Sequence, residues 1–284
     1  MIGIVGGSGL YELELAGAEW RTVASPFGAP SDAVLTGTLG DHQVAFLPRH
    51  GRGHRIPPHE INFRANIDVL KRVGATSLLS ISAVGSLRAD LAPGTFVLVD
   101  QFVDRTLRGP KTFFTTGCVA HVSMAHPTCG RMIDVLAEAG GTAGLSIVRG
   151  GTYLAMEGPQ FSSLAESELH RALNCDVVGM TNMPEAKLAR EAELCYATVA
   201  MVTDFDCWHP DHDHVQVDDV IRVLLANAEH ARELVRRAVP LLGAGTDIPC
   251  AKGCNRALDN ALLTAPPARD PAVCAKLDAI AGRV

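Results

Sequence analysis

Short apolar runs alternate with amphipathic stretches along this chain, the pattern of an α/β protein. IGIV (residues 2–5) reads as a first strand ending at the turn GGSG, and HQVAFLP reads as a second ending at Arg49-His50-Gly51. In NFRANIDVLKRVG the apolar Phe63, Ile67, Leu70 and Val73 recur at helical spacing and Gly74 closes the segment, so a helix is expected there. SLLSISAV is nearly continuous in apolar character, as a central strand covered on both faces must be. GTFVLVDQFVD, SIVRGGTYLAMEG, DVVGM and CYATVAMVTDFD read as further strands, with helices at 129–139, 162–173, 184–194 and 217–241.

Several of these strands end in small or polar residues: GGSG, RHG, SAVGS, GMTN and TDFD. In open α/β sheets the ligand crevice lies at the carboxyl ends of strands, where loops meet helix N-termini. That clustering is what marks a site. Gly6-Gly7-Ser8-Gly9 suits an anion cradle or a plain tight turn, and Arg49-His50 suits an oxyanion or a basic surface loop. Ser82 with the backbone of Ala83 and Gly85 suits an anion nest or a packing turn. Thr181 or Asn182 suits a helix cap, with Pro184 at the first helical position, and an anion gains from the same N–H groups. Asp204 and Asp206, two apart on an extended segment, face one way, and metal, proton chemistry, ligand hydrogen bonding and helix capping are all open to them.

Composition narrows these choices. The 284 residues are 47% hydrophobic and 20% charged, with a net charge of −6, which suits one soluble globular domain and argues against phosphate-driven binding of nucleic acid. The start MIGIVGG lacks a signal-peptide pattern and no apolar run is long enough to span a bilayer, so a cytoplasmic protein without membrane partners is expected. The run from Asp206 through His209, Asp211, His212, Asp213 and His214 has metal-ligand residue types but no frame to converge them, so it reads as a solvated loop. Cys250 and Cys254 form a C-x3-C pair; with no second close pair in the sequence they read as a tail disulfide or idle thiols, and no metal is expected.

Taken together, IGIVGGSGL, SPFGAPSD, PRHGRGH, NFRANI, SAVGSLR, DQFVDRT, MEGPQFSSLAES, VVGMTNMPEAKLAREAELCYA and TDFDCW resemble the trimeric purine nucleoside phosphorylases, and among them the 5'-methylthioadenosine phosphorylases. The resemblance implies a single α/β domain over residues 1–242 with a mixed, twisted sheet flanked by helices. The tail, 243–284, lies outside the matched part; short helices packing on the same domain or on a neighbouring subunit are expected there. It implies Ser8, Arg49, His50, Ser82, Ala83 and Thr181 as phosphate ligands, and Met180 against the ribose. Phe161 and Ser162 would line the base pocket, Val217, Val220 and Ile221 the 5' pocket, and His121 would reach a neighbouring subunit's ligand in a trimer.

The activity so implied is phosphate-dependent cleavage of methylthioadenosine to adenine and 5-methylthioribose 1-phosphate, without a cofactor. Asp204 would read and protonate the departing purine, with Asp206 as its partner; a 6-oxopurine or methylthioinosine phosphorylase and a non-catalytic nucleoside-binding module are the alternatives. Some residues depart from the family pattern. Ser8 and Ser82 stand where many relatives have Thr, Gln160 and Leu164 replace arginines, and Gly179 precedes Met180 as in some 6-oxopurine enzymes.

Overall fold

The computed structural model describes the chain except residues 8, 9, 11, 12, 211–216, 245–249 and 284. Its frame is one mixed eleven-stranded sheet between two layers of helices. At the centre, β1 (Ile2–Gly6) pairs in parallel with β4 (His42–Pro48) and with β5 (Ser77–Ser86), and β11 (Cys195–Asp204) runs parallel along the other side of β5. The strands β2 (Ala16–Arg21) and β3 (Val34–Leu39) extend the sheet beyond β4.

Two segments that read as single strands are each two. GTFVLVDQFVD divides into β6 (Phe96–Val99) and β7 (Gln101–Asp104), and SIVRGGTYLAMEG into β8 (Ile147–Arg149) and β9 (Thr152–Ala155). The breaks fall together. The positive φ angles of Gly150 (79°) and Gly151 (133°) turn the second segment, and Asp100 pins the first to it: its N–H donates to the Gly151 carbonyl and its Oδ1 accepts from the Gly151 N–H. The first halves, β6 and β8, extend the sheet beside β11, while β7 and β9 join β10 (Val177–Gly179) on the other side.

The alternation of side chains on β11 sorts the core into two layers. Tyr196, Ala200 and Val202 face the layer that includes Ile67 and Leu70 of α1 (Phe63–Arg72) and Leu188 of α4 (Asn182–Glu191). Ala197, Val199 and Met201 face Met132 and Leu136 of α2 (Gly130–Thr142) and Leu234 and Val235 of α5 (Val217–Ala244). The remaining long helix, α3 (Leu164–Ala172), starts at a capping box in which Ser163 and Glu166 satisfy each other's end of the turn.

Tail residues belong to the same body. Leu258, Ala261, Leu277 and Ile280 are buried in the first layer, the last of them in the short helix α7 (Asp278–Ala281), which follows α6 (Pro271–Lys276). Arg72 bonds Asp278 through two nitrogens and Arg283 bonds Glu193, fastening the tail to the rims of α1 and α4. One expectation about the tail is corrected here: Cys250 and Cys254 neither pair nor stand alone, because folding brings Cys129 and Cys195 to them, and all four sulfurs lie within 4.8 Å of one another. Among the described residues no helix is long and apolar enough to cross a membrane.

Candidate active site

The long strand β5 organises the site because it changes partner along its length. Its ladder with β1 stops at Ser80, and on its far part β10 pairs antiparallel with Gly85 and Ser86. In the interval, Arg49, just beyond β4, inserts its guanidinium. Nη1 donates to the Ile81 carbonyl at 2.9 Å, Nη2 to Ser80 Oγ at 2.7 Å, and Nε to Glu185 Oε2 at 2.8 Å. Both members of this ion pair are buried, 1% and 2% exposed, and Ser80 and Tyr196 also donate to Glu185 Oε1. The basic-loop reading of Arg49 thus gives way to a buried one. Of its five N–H groups, the second on Nη1 is the one with no protein acceptor among the described residues.

His50 is buried beside it and its ring stacks on His54, with centroids 4.3 Å apart. Burial, aided by the Arg49 charge, lowers its pKa to about 4. It is therefore a neutral imidazole. Nδ1 lies 2.9 Å from the Ile56 carbonyl, which can only accept, so the ring proton is assigned to Nδ1 and Nε2 carries the lone pair.

Further along β5 a group of hydroxyls converges. Ser82 Oγ lies 3.0 Å from Thr181 Oγ1 and 3.4 Å from the Tyr153 hydroxyl, which accepts from the Thr181 N–H at 3.3 Å. Although Thr181 directly precedes α4, its hydroxyl makes no capping bond. The capping reading fails, and the side chain is turned to Ser82 instead. Ala83, next on β5, accepts from Ser82 Oγ through its carbonyl. Sequence reasoning missed Tyr153 and Glu185. The signal for Tyr153 was Gly179: a Cβ there would stand 2.1 Å from the Tyr153 oxygen, so that strand end must be glycine.

The two carboxylates close the other end. Along β11 the register with β5 slips by one residue, from Val202 opposite Val84 to Asp204 opposite Gly85, so Thr203 is bulged and the strand is re-aimed at its tip. A Cβ on Gly85 would lie 2.9 Å from Asp204 Oδ1, so the glycine admits the carboxylate. Asp204 and Asp206 do come together, but not by strand alternation. The strand ends at Asp204, Asp206 has a left-handed φ of 52°, and its N–H donates to Asp204 Oδ1 at 2.8 Å in a tight turn. Thr203 Oγ1 donates to Oδ2 at 2.7 Å.

Burial raises the pKa of Asp204, and the neighbouring Asp206 charge adds to the rise against the Thr203 and Asp206 hydrogen bonds. Burial raises Asp206 as well, opposed by the hydroxyls of Ser167 and Ser162 and by His170. Ser162 is held at this end, because its carbonyl accepts from the Cys207 thiol and its hydroxyl lies 3.6 Å from the Met156 sulfur. Met180 packs over Gly158, where a Cβ would fall 2.4 Å from its sulfur.

Other sequence candidates are not gathered in. Phe161 is 43% exposed and Ile221 45% exposed, and His121 lies on the surface with its backbone N–H bonded to Ala261. Ser8, the acidic loop residues Asp211, His212, Asp213 and His214, and the side chains of Val217 and Val220 lie outside the described residues.

Residues 1–240 match the model of the phosphorylase superfamily. An S-methyl-5'-thioadenosine phosphorylase of Cereibacter sphaeroides is 59% identical, covering 100% of this chain and 98% of that protein. One of Rhodospirillum rubrum is also 59% identical, over 100% and 97%. Among solved structures, a methylthioadenosine phosphorylase from an antarctic soil metagenomic library superposes with a TM-score of 0.92 at 44% identity over 98% of each chain. The Schistosoma mansoni methylthioadenosine phosphorylase in complex with adenine gives 0.86 at 38% identity, over 91% of this chain and 97% of that one. A β5 that changes partner along its length, with hydroxyls grouped at Ser82 and two carboxyls gathered at Gly85, is therefore carried by a chain that belongs to the phosphorylase superfamily, among relatives named S-methyl-5'-thioadenosine phosphorylases.

Proposed function

We propose that the protein cleaves 5'-methylthioadenosine with inorganic phosphate, giving adenine and 5-methylthioribose 1-phosphate. The observation that carries this reading is the spacing of two unlike groups on one strand. The Ser82–Thr181 hydroxyl pair and the Asp204 carboxyl opposite Gly85 are three residues apart along β5, about 10 Å. A nucleoside with its phosphate nucleophile has to cover a span of that order.

Phosphorolysis passes through an oxocarbenium-like sugar, so the nucleophile must be held under C1' while negative charge on the leaving purine is relieved. The hydroxyls of Ser82 and Thr181 donate to phosphate, joined in this reading by Ser8, the Ala83 backbone and the remaining Arg49 N–H, while the neutral His50 accepts from a phosphate P–OH through Nε2. Asp204, its pKa raised chiefly by burial, holds a proton for N7 of the purine, and Asp206 keeps it in place through the turn. When ionised, the same carboxylate accepts from a 6-amino group, which favours adenine over a 6-oxopurine. Gly179 lends the 6-oxopurine alternative no support, since Tyr153 accounts for it.

Met180 lies against the ribose, Phe161 and Ser162 border the base, and Val217, Val220 and Ile221 border the methylthio group. This chemistry needs an acid and an anion holder, and we assign it no organic cofactor. We further propose a cytoplasmic homotrimer in which the exposed His121 reaches the 5' end of a neighbouring subunit's ligand. Phosphate-dependent release of adenine from methylthioadenosine, followed by ultraviolet absorbance, tests the activity; inactivity there with turnover of inosine, or tight binding with no turnover, refutes it. Sedimentation showing an active monomer would overturn the trimer.

A further inference from the structure

Four cysteines from three distant parts of the chain meet on the side of the sheet covered by α2 and α5. Cys129 immediately precedes α2 and is tied to β11 by its N–H, which donates to the Tyr196 carbonyl at 2.7 Å. Cys195 opens β11, its N–H donating to Thr76. The tail supplies the other two. The Cys250 carbonyl accepts from the Gly253 N–H at 2.8 Å, and Gly253, at φ 60°, turns the chain so that Cys254 returns to the same point.

We propose that these four thiolates hold one zinc ion in a structural site that fastens the tail to the body. A tetrahedral tetrathiolate with Zn–S bonds of about 2.3 Å has sulfurs about 3.8 Å apart. Here the Cys129 and Cys250 sulfurs are 3.8 Å apart and all four lie within 4.8 Å. A disulfide needs about 2.05 Å, and none of the four is bonded to another.

Four soft ligands in a closed set select zinc among the abundant divalent ions and leave no open position for chemistry. Cys129 and Cys254 are 0% and 1% exposed, and Cys195 is 5% exposed. A zinc tetrathiolate carries two negative charges, and Lys252, between two of the ligands in sequence, packs its Cε toward Gly130 beside a third. Immediately after Cys254 the chain enters the first core layer at Leu258 and Ala261. The ion thus sits where the tail's docking begins. This site is independent of the phosphorolysis reading.

The test is the metal content of the full chain, expressed with zinc supplied and purified with reductant. About one zinc per chain is expected by elemental analysis, with Zn–S distances of about 2.3 Å by X-ray absorption and no oxygen ligand. Cobalt exchanged for zinc should show the intense visible bands of a tetrahedral thiolate site. Cys254→Ser and Cys250→Ser should each lose most of the zinc, while Cys274→Ser, beside Cys118, keeps it. Cys250 is only half-buried, so its variant serves if Cys254→Ser does not fold. Substoichiometric zinc in the parent, iron in its place, or a mass lower by four hydrogens with two disulfides would overturn the proposal.

Discussion

The backbone N–H of Asp206 donates to Oδ1 of Asp204 at 2.8 Å, so the residue that repels a charge on Asp204 also fixes where that carboxyl points. Two acids are close for opposite reasons: the hydrogen bond favours the ionised form of Asp204, while burial and the Asp206 charge favour the protonated one. Burial wins, and the pKa rises. The turn gives orientation and the desolvation favours the protonated carboxyl.

Asp204→Asn should therefore separate catalysis from folding. Turnover on methylthioadenosine should fall by about 10²- to 10⁴-fold, the usual value of general-acid help. Because the native pKa is raised, the ionised form is penalised in the fold, and the parent loses stability as pH rises through that native value. Asparagine removes the penalty, so the variant should match or exceed the parent in urea unfolding at pH 8. Its relative use of 6-oxo substrates should increase. An unchanged ratio of 6-amino to 6-oxo turnover would defeat the assignment of Asp204 as purine reader.

Tyr153→Phe probes the hydroxyl group at the other end. The Tyr153 oxygen accepts from Thr181 N–H and approaches Ser82 Oγ, and losing it leaves a buried donor unsatisfied at a cost of about 1–3 kcal/mol. With the Ser82–Thr181 pair loosened, KM for phosphate should rise about tenfold, equivalent to about 1.4 kcal/mol. The KM for the nucleoside should stay within about twofold of the parent value. Equal changes in both would mean that Tyr153 supports the fold rather than the anion end.

The strand ends were legible because apolar runs terminate visibly; β1, β4, β5, β10 and β11 all stand where the pattern placed them. What the pattern hid were events lasting one residue. Asp100 and Gly150–Gly151 each look like a polar residue or glycine within a strand, and only their mutual hydrogen bonds divide four strands from two. The strand ends at Asp204 and the left-handed Asp206 turns back on it, so strand alternation does not relate the two aspartates. Contacts between distant positions were hidden as well: Arg49 with Glu185 is an interior pair although Arg49 sits in a basic sequence. Likewise the four cysteines are one cluster although two lie at least fifty residues from the tail pair. A polar run shows its composition, and the partner that buries it lies elsewhere in the chain.

The Arg49–Glu185 pair fills the interval between two ladders of β5, so breaking it should cost more than its attraction alone. Glu185→Ala leaves a buried guanidinium uncompensated and should destabilise the protein by about 3–5 kcal/mol. Replacing both residues, Arg49→Met with Glu185→Leu, should recover most of that loss in urea unfolding, since the desolvated charges leave together. Phosphate binding should not recover in the double variant. If it did, the remaining Arg49 N–H would have no part in holding the anion.

His50 makes stability depend on pH in a defined window. Its native pKa is lowered to about 4 from the ordinary 6.5, first by burial and then by Arg49. Between those values the unfolded chain binds a proton that the native state refuses, so stability falls as pH drops from about 6.5 to about 4, by about 3 kcal/mol at most. His50→Gln removes the titration and should flatten the urea-unfolding profile over that window; identical profiles for variant and parent would show that the ring titrates normally. The same neutral ring has a consequence for substrate. With Nδ1–H given to Ile56, Nε2 can only accept, so in the phosphorolysis reading it pairs with a phosphate oxygen that still carries a proton.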